Sequence, residues 1–252
     1  MQTFLQILML ISFMLIGYLF GSIPNSVLIG KYIYHKDVMA EGSKNPGGTN
    51  AGRVLGKFAG VVVILLDGLK TVIPVYIAFF CFNHCESIMS FMGYYDDTTL
   101  NVFGRGNTLC QLAVYLTALG AILGHCYSIF LKFKGGKAVS SYLATACCVS
   151  YNTFTLCGSI FFGLLKIKKH VSLSSISCTA AFTLFSWAIY ITYAVTLDTS
   201  ILDYFMWFGN GPEICIYLPV LMTIAFIILV IRHRSNIRRL KNKTERKITW
   251  MK

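Results

Sequence analysis

Long apolar runs make up most of this chain and restrict what it can fold into. Six of them cover residues 3–30, 58–82, 109–131, 139–165, 171–195 and 214–231. About 20 apolar residues are enough for a helix to cross the hydrocarbon core of a bilayer, where helices satisfy their own backbone hydrogen bonds. With 56% hydrophobic and 13% charged residues, the sequence predicts an all-α integral membrane protein. We expect one membrane-embedded domain, residues 1–252, with a basic tail at 232–252.

The run at 139–165 has lysines on both sides, at 132, 134 and 137 and at 166, 168 and 169. Because cytoplasmic segments carry an excess of Lys and Arg, this run is predicted to enter the membrane and return. It would then form two short helices that meet near Ser150, Tyr151 and Asn152, a sequence typical of a turn. The total is about seven transmembrane helices, two of them short. The alternative is five spans, with 139–165 as an in-plane or re-entrant element.

The connections between the runs separate by charge. Basic residues dominate 31–57, 132–137, 166–169 and 232–245, whereas acidic residues dominate 83–108 and 196–213. This separation predicts an outside N-terminus and an inside C-terminus. The polar, glycine-rich and basic stretches then share the cytoplasmic face, where they can converge on one site. Nucleic-acid binding is disfavoured, because the basic residues lie between apolar runs rather than on a soluble face.

Two polar features interrupt the runs. Residues 21–25 contain Pro24, which removes a helix hydrogen bond and bends the chain, and we expect this segment to face the bundle rather than lipid. Asp67 and Lys70 are three residues apart and share one helical face. A structural ion pair is the favoured interpretation, and ligand contact is the alternative.

The nine cysteines lie mostly in or beside apolar runs. They are interpreted as small hydrophobic residues, with a Cys81–Cys85 disulfide as an alternative.

A glycine-dense polar stretch at 42–53 stands out from its apolar surroundings. Ser43, Asn45, Thr49 and Asn50 supply short hydrogen-bonding side chains. Arg53 supplies a planar fork of donors that matches phosphate oxygens, and glycines allow a close backbone approach to a ligand. The stretch indicates a cradle for a phosphorylated ligand. A flexible loop in which the glycines only turn the chain is the alternative.

Three further segments carry candidate site residues. Lys134, Gly135, Gly136 and Lys137 combine two cations with a diglycine whose N–H groups can line an anion site, although a charge run that anchors the chain to anionic lipid is the alternative. His233 and Asn236 share a face if the tail is helical. Ser172 either caps a helix that begins near residue 173 or binds substrate.

The chain contains no Ser-His-Asp arrangement and no histidine with an aspartate five residues on, the pair that many lipid acyltransferases use. An acyl transfer here would need a substrate that is already activated. Catalysis would then consist mainly of positioning and charge stabilisation.

The motifs together resemble the bacterial acyl-phosphate:glycerol-3-phosphate acyltransferases of the PlsY type, along nearly the whole chain. The matching segments are 21–24, 41–50 with Arg53 and Gly56, Asp67 to Lys70, 123–125, 133–137, 171–173, and His233 to Leu240 with Glu245. There are departures. Ala138 stands where the family usually has glycine, Tyr127-Ser128 replaces Phe-Pro, and the connection 83–108 looks longer than is typical.

The resemblance implies a seven-helix enzyme that moves a fatty acyl group from acyl phosphate to the sn-1 hydroxyl of glycerol 3-phosphate, giving lysophosphatidic acid and phosphate. It implies catalysis at the cytoplasmic face of the bacterial cell membrane without a metal or cofactor. Partners would be the two substrates and the lipid bilayer, with no nucleic acid and no obligatory protein. The implied catalytic residues are Ser43, Arg53, Lys134 and His233. The implied substrate-binding residues are Asn45, Thr49, Asn50, Gly135, Gly136, Lys137, Ser172 and Asn236. The competing hypothesis is a transporter or channel for a phosphorylated anion, which broken membrane helices suit.

Overall fold

The fold is helical throughout the part of the chain that the computed structural model describes, residues 1–92, 108–197 and 215–248. The helices are α1 Gln2–Ser22, α2 Asn25–Tyr32, α3 Gly48–Val54, α4 Lys57–His84, α5 Glu86–Phe91, α6 Thr108–Cys126, α7 Val139–Val149, α8 Tyr151–Lys168, α9 Val171–Thr196, α10 Tyr217–Arg232 and α11 Arg234–Lys241, with a 3₁₀ turn at Ile129–Leu131. The all-α prediction is confirmed for these residues. The connections 83–108 and 196–213 lie largely outside the described residues.

Within the described residues, four helical segments are long and apolar enough to cross a membrane: Gln2–Tyr32, Lys57–His84, Leu109–Cys126 and Val171–Thr196. The pair α10 and α11, bent by 60°, makes a fifth if it is counted as one span. The integral membrane character is therefore confirmed at four to five candidate spans. The count of seven and the orientation stay predictions.

The run at 139–165 divides into two helices, as predicted. α7 ends at Val149 and α8 begins at Tyr151. Between them, the Ser150 hydroxyl accepts a hydrogen bond of 3.1 Å from the backbone N–H of Thr153, which satisfies one of the free donors at the start of α8.

The break between α1 and α2 is held by a buried ion pair. Lys70 Nζ lies 3.0 Å from Asp67 Oδ1 and donates to the Ile23 carbonyl at 2.8 Å, a group that the helix break leaves without a helical partner. Asn25 Nδ2 donates to the same Asp67 oxygen at 3.0 Å. The predicted structural pair of Asp67 and Lys70 is confirmed. It supplies a hydrogen-bond donor to the Ile23 carbonyl at the helix break. Gly21 and Ser22 are buried against the bundle, as expected for this segment.

α1 packs against α6 through glycines on both helices. An added Cβ would overlap a backbone carbonyl of the other helix at four positions, Gly17, Gly21, Gly120 and Gly124. Small residues of this kind let two membrane helices approach closely. The approach places the α1–α2 break beside the end of α6 that carries His125 and leads into the Lys-Gly-Gly-Lys segment.

None of the nine cysteines forms a disulfide, and six of them are buried. Their interpretation as small hydrophobic residues is confirmed for those six. The alternative disulfide between Cys81 and Cys85 is not formed, and Cys85 is exposed at the end of α4.

Candidate active site

Polar side chains from three separate parts of the chain meet around the carboxylate of Glu245. Ser172 Oγ donates to Glu245 Oε1 at 2.7 Å, and Asn236 Nδ2 donates to the same oxygen at 2.7 Å. Arg239 Nε donates to Oε2 at 2.6 Å. The side-chain oxygen Oδ1 of Asn236 accepts from Lys137 Nζ at 2.6 Å. The structure therefore connects three of the predicted site residues, Lys137, Ser172 and Asn236, in one hydrogen-bonded network.

Glu245 is the member of this network to which sequence patterns gave no role. It reaches the site because the chain after α11 folds back, with Ile248 N donating to the Lys169 carbonyl at 2.8 Å. Burial of the carboxyl raises its pKa, but the hydrogen bonds from Ser172, Asn236 and Arg239 outweigh this effect and lower the pKa of Glu245 below its ordinary value. The family resemblance includes Glu245 among its matching residues, but no sequence pattern gave this glutamate a role or a partner.

Ser172 does not cap a helix. α9 begins at Val171 after His170, so Ser172 lies inside the first turn and its hydroxyl bonds Glu245. The capping interpretation is wrong, because the backbone reaches helical geometry two residues earlier than the pattern indicated.

The glycine-rich stretch folds into a loop followed by α3. Asn50 is 1% exposed. Its Oδ1 accepts from Ser43 N at 2.7 Å, and its Nδ2 donates to the carbonyls of Val38 at 2.8 Å and Glu41 at 3.2 Å. Gly42 adopts a left-handed φ of +64° beside this amide, where a Cβ would strike it. Asn50 thus supports the loop, and its direct contact with substrate stays a prediction.

The other residues of this stretch differ in accessibility. Ser43, Thr49 and Arg53 are exposed, and Asn45 is partly buried. Partial burial, followed by the positive charge of Arg246, lowers the pKa of Arg53, while Glu245 opposes the shift. Arg53 therefore lies within electrostatic range of Glu245 and Arg246. No hydrogen bond joins the side chains of Ser43, Asn45 or Thr49 to that network within the described ranges.

The diglycine lies against the end of α6. Gly136 N donates to the His125 carbonyl at 2.9 Å. A Cβ at Gly136 would overlap the His125 ring, and one at Gly135 would overlap the backbone of His125 and Cys126. Glycine is therefore required at both positions by close packing, as well as being suited to an anion loop.

The lysines and Ala138 complete this loop. Lys134 is exposed, whereas Lys137 is partly buried. Burial lowers the pKa of Lys137 to about 8, with Glu245 opposing and the neighbouring arginines adding to the shift. Ala138 has a φ of +57°, a left-handed conformation that costs a non-glycine residue about 1–2 kcal/mol. This departure from glycine therefore leaves the loop shape in place but adds strain to it.

His233 lies at the bend between α10 and α11 and is 2% exposed. Its Nδ1 is 2.9 Å from the Leu229 carbonyl. Because a carbonyl only accepts, Nδ1 carries the proton and Nε2 of the neutral ring is left as an acceptor. Asn236 lies one helical turn after His233 and is also buried. The helical turn from His233 continues, with Ile237 N donating to the His233 carbonyl at 2.9 Å, so the predicted common face of His233 and Asn236 is confirmed.

Arg232 is a further residue that sequence patterns did not single out. Its Nε donates to the Gly136 carbonyl at 3.1 Å, and its Nη2 donates to the Gly135 carbonyl at 2.6 Å. Its guanidinium lies 5.3 Å from the centre of the Tyr127 ring. Arginines are abundant in the tail, and nothing local distinguishes this one from its neighbours.

The arrangement suits ligands that carry phosphate. Among the described residues, Glu245 is the carboxylate of this network and already has three donors, while Lys137 contributes an ammonium through Asn236. Charged donors bind phosphate oxygens more strongly than neutral ones do. A site with a surplus of positive charge can therefore hold an anionic head group.

Comparisons with known proteins identify relatives of this chain. The glycerol-3-phosphate acyltransferase family model matches residues 11–243. A glycerol-3-phosphate acyltransferase of Staphylococcus haemolyticus (strain JCSC1435) is 35% identical over 246 residues, which is 97% of this chain and 100% of the relative. Its counterpart from Staphylococcus aureus (strain Newman) is 34% identical over 247 residues, with 97% and 100% coverage.

Two solved structures are also similar. Both are crystal structures of PlsY (YgiH), an integral membrane glycerol 3-phosphate acyltransferase, and both are 26% identical to this chain. The glycerol 3-phosphate form has a TM-score of 0.70 and covers 95% of this chain and 96% of its own. The lysophosphatidic acid form has a TM-score of 0.68, with 95% coverage of both chains. Since the family model covers most of the chain and the relatives align over their full lengths, the chain belongs to the glycerol-3-phosphate acyltransferase family.

Proposed function

We propose that this protein transfers a fatty acyl group from acyl phosphate to the sn-1 hydroxyl of glycerol 3-phosphate, giving lysophosphatidic acid and inorganic phosphate. The observation that carries the proposal is the joining of Lys137, Ser172 and Asn236 in one hydrogen-bonded network, with Arg53 within electrostatic range of its carboxylate. These residues come from four segments that are far apart in the chain. Their convergence at a basic, membrane-embedded edge suits two substrates that both carry phosphate.

The chemistry places few demands on the protein. The glycerol hydroxyl attacks the acyl carbonyl carbon, the bond from that carbon to the phosphate oxygen breaks, and the hydroxyl proton leaves with the phosphate. Phosphate is a good leaving group, so positioning and charge stabilisation contribute most of the catalysis. A substrate phosphate oxygen accepts the proton in this scheme, and Nε2 of the neutral His233 ring is a protein acceptor among the assigned site residues.

Each site residue receives a role in this scheme. Arg53, Lys134 and Lys137 hold phosphate and stabilise the charge that develops on it. Ser43, Asn45 and Thr49 donate hydrogen bonds to phosphate or to the reacting carbonyl, while Asn50 keeps their loop in shape. Gly135 and Gly136 form the tight loop that presents the backbone N–H of Lys137 to an anion. His233, Asn236 and Ser172 hold glycerol phosphate, the last two from positions fixed by Glu245.

We place this site at the cytoplasmic face of the bacterial cell membrane, with an outside N-terminus and seven membrane helices. In this arrangement α7 and α8 are the two short spans that return the chain after Ser150. The basic segments then all lie on the side where a water-soluble glycerol 3-phosphate is available. Acyl phosphate enters from the bilayer between helices.

The test uses purified protein in lipid, supplied with palmitoyl phosphate and glycerol 3-phosphate and no other additive. We expect phosphate and lysophosphatidic acid to appear in equal amounts and both to be lost in Arg53→Ala. Lys57→Ala is the matched control, since Lys57 is an exposed base of the same connection with no assigned role, and it should keep full activity. No product from palmitoyl phosphate, or movement of glycerol 3-phosphate into vesicles without conversion, would reject the proposal.

A further inference from the structure

The side chain of Arg232 spans the diglycine. Arg232 is the last residue of α10. Its guanidinium donates to two consecutive backbone carbonyls, from Nε to Gly136 at 3.1 Å and from Nη2 to Gly135 at 2.6 Å. The planar fork of arginine holds two acceptors in a fixed relative geometry, which a lysine ammonium does not. The ring of Tyr127 lies 5.3 Å from the guanidinium carbon and supports it by a cation–π contact.

These two bonds determine which way the loop amides point. In a trans peptide the C=O and the following N–H point in opposite directions. The Gly135 carbonyl points to Arg232, and the N–H of Gly136 accordingly points the other way, where it meets the His125 carbonyl at 2.9 Å. The Gly136 carbonyl also points to Arg232. The N–H of Lys137 therefore points away from Arg232.

That amide is available for a ligand. Among the described residues, Lys137 N has no hydrogen-bond partner, and its own ammonium lies in the network of Asn236. If a substrate phosphate binds at this loop, the backbone N–H and the ammonium of Lys137 can both donate to it. If the carbonyls of the diglycine turned toward that anion instead, their negative ends would repel it.

We infer that Arg232 is a positioning residue that holds both diglycine carbonyls away from the substrate phosphate and so turns the Lys137 amide toward it. The inference rests on the proposed function of this loop as a phosphate site. Arg232 acts through the loop and does not itself contact the reacting atoms. No carboxylate within the described ranges pairs with Arg232, so its charge also adds to the attraction for the anion.

Arg232→Lys tests the fork while the charge is kept. Acyl transfer is measured on purified protein in lipid, with KM determined for glycerol 3-phosphate and for palmitoyl phosphate. We expect one of the two KM values to rise about tenfold or more, while kcat changes by less than about threefold, because the loss is one of ground-state phosphate binding. The substrate whose KM rises is the one that the loop holds. The matched control is Arg234→Lys, an exposed arginine two residues away, which should leave both KM values unchanged.

A second variant separates positioning from general loss of the fold. Arg232→Ala should lose activity but keep its thermal unfolding midpoint near that of Arg232→Lys, and millimolar guanidinium should restore part of the activity by occupying the vacated position. Unchanged KM values in Arg232→Lys would overturn the inference. So would a fall in kcat alone, or an activity loss in Arg232→Ala that guanidinium does not reduce.

These outcomes are distinct from failure of the proposed function. If the unmodified protein gives no lysophosphatidic acid, the acyltransferase assignment of the loop is rejected and the inference with it. If the unmodified protein is active and Arg232→Lys behaves like Arg234→Lys, only the inference is rejected.

Discussion

At the scale of single residues, the site depends on donors whose geometry is fixed by neighbours. The carboxylate of Glu245 orients Ser172 and Asn236, and Asn50 shapes the loop that carries Ser43. Such supporting contacts determine how well a site is preorganised. Substitutions should therefore reveal two classes of residue, those that touch substrate and those that hold the first class in place.

Arg53→Lys tests a residue of the first class. Lysine keeps the charge but lacks the fork that binds two phosphate oxygens, so we expect a loss of roughly tenfold in kcat/KM, equivalent to about 1.4 kcal/mol. The measurement is the rate of lysophosphatidic acid formation in lipid, with Lys57→Arg as the matched control. Wild-type turnover in Arg53→Lys would mean that bidentate binding by Arg53 is not used.

The pH dependence of kcat/KM tests the protonation state of Lys137. Burial lowers the pKa of Lys137 to about 8, so its ammonium is charged below this pH and becomes neutral as the pH rises through it. Because kcat/KM reports the pKa values of the free enzyme, we expect it to fall between about pH 7.5 and about pH 9. Lys137→Arg stays charged over this range and should lack the fall, whatever its absolute rate. A fall of equal size in Lys137→Arg would assign the titration to another group.

At the scale of helices, α1 and α6 approach each other closely. The four glycines at this contact leave no space for a side chain. By contrast, Gly158 and Gly163 in α8 have nothing within 4 Å of an added Cβ. The same residue type thus has opposite consequences on two helices.

Gly120→Ala and Gly163→Ala form a matched pair for this contact. The methyl group at position 120 meets the Met14 carbonyl, and forcing it in should destabilise the protein by about 1–3 kcal/mol. At position 163, alanine raises helix propensity by up to about 1 kcal/mol, so stability should be unchanged or slightly higher. Thermal unfolding in detergent checks both variants. Equal midpoints for the two would show that α1 and α6 do not pack as closely as described.

At the scale of the whole molecule, the polar network gathers at the end of the bundle that carries the basic segments. Cys85, beyond the other end of α4, is the one exposed cysteine of the nine. It lies in the acidic connection that the charge pattern assigns to the outside. A native residue can therefore report sidedness.

A membrane-impermeant maleimide should label Cys85 in intact cells and should not label Cys85→Ser. The matched variant combines Cys85→Ser with Ser235→Cys, an exposed position on α11. This second site should react only after the membrane is permeabilised, because the tail is proposed to be cytoplasmic. Labelling of position 235 in intact cells would show that the orientation is opposite to the proposed one and that the site does not lie at the cytoplasmic face.

Local pattern determined several features of the molecule. Hydropathy over single segments predicted the helical membrane fold, and helical spacing predicted the pair of Asp67 and Lys70 and the shared face of His233 and Asn236. Turn residues predicted the break at Ser150. These features depend on residues within one helix or one connection, whose relative positions are set by helix geometry alone.

The tertiary structure decided the rest. The bond of Ser172 to Glu245 and the bonds of Arg232 to the diglycine join segments that are distant in the chain, and no periodicity relates them. Asn50 was predicted to bind substrate because its side-chain amide can donate and accept hydrogen bonds. In the structure, that amide is hydrogen-bonded to the backbone of its own loop. Sequence by itself indicated which side chains can serve phosphate chemistry. Which of these side chains contact one another depends on tertiary packing. The close packing of α1 on α6, the bend between α10 and α11 and the fold-back of the tail bring distant groups within hydrogen-bonding distance.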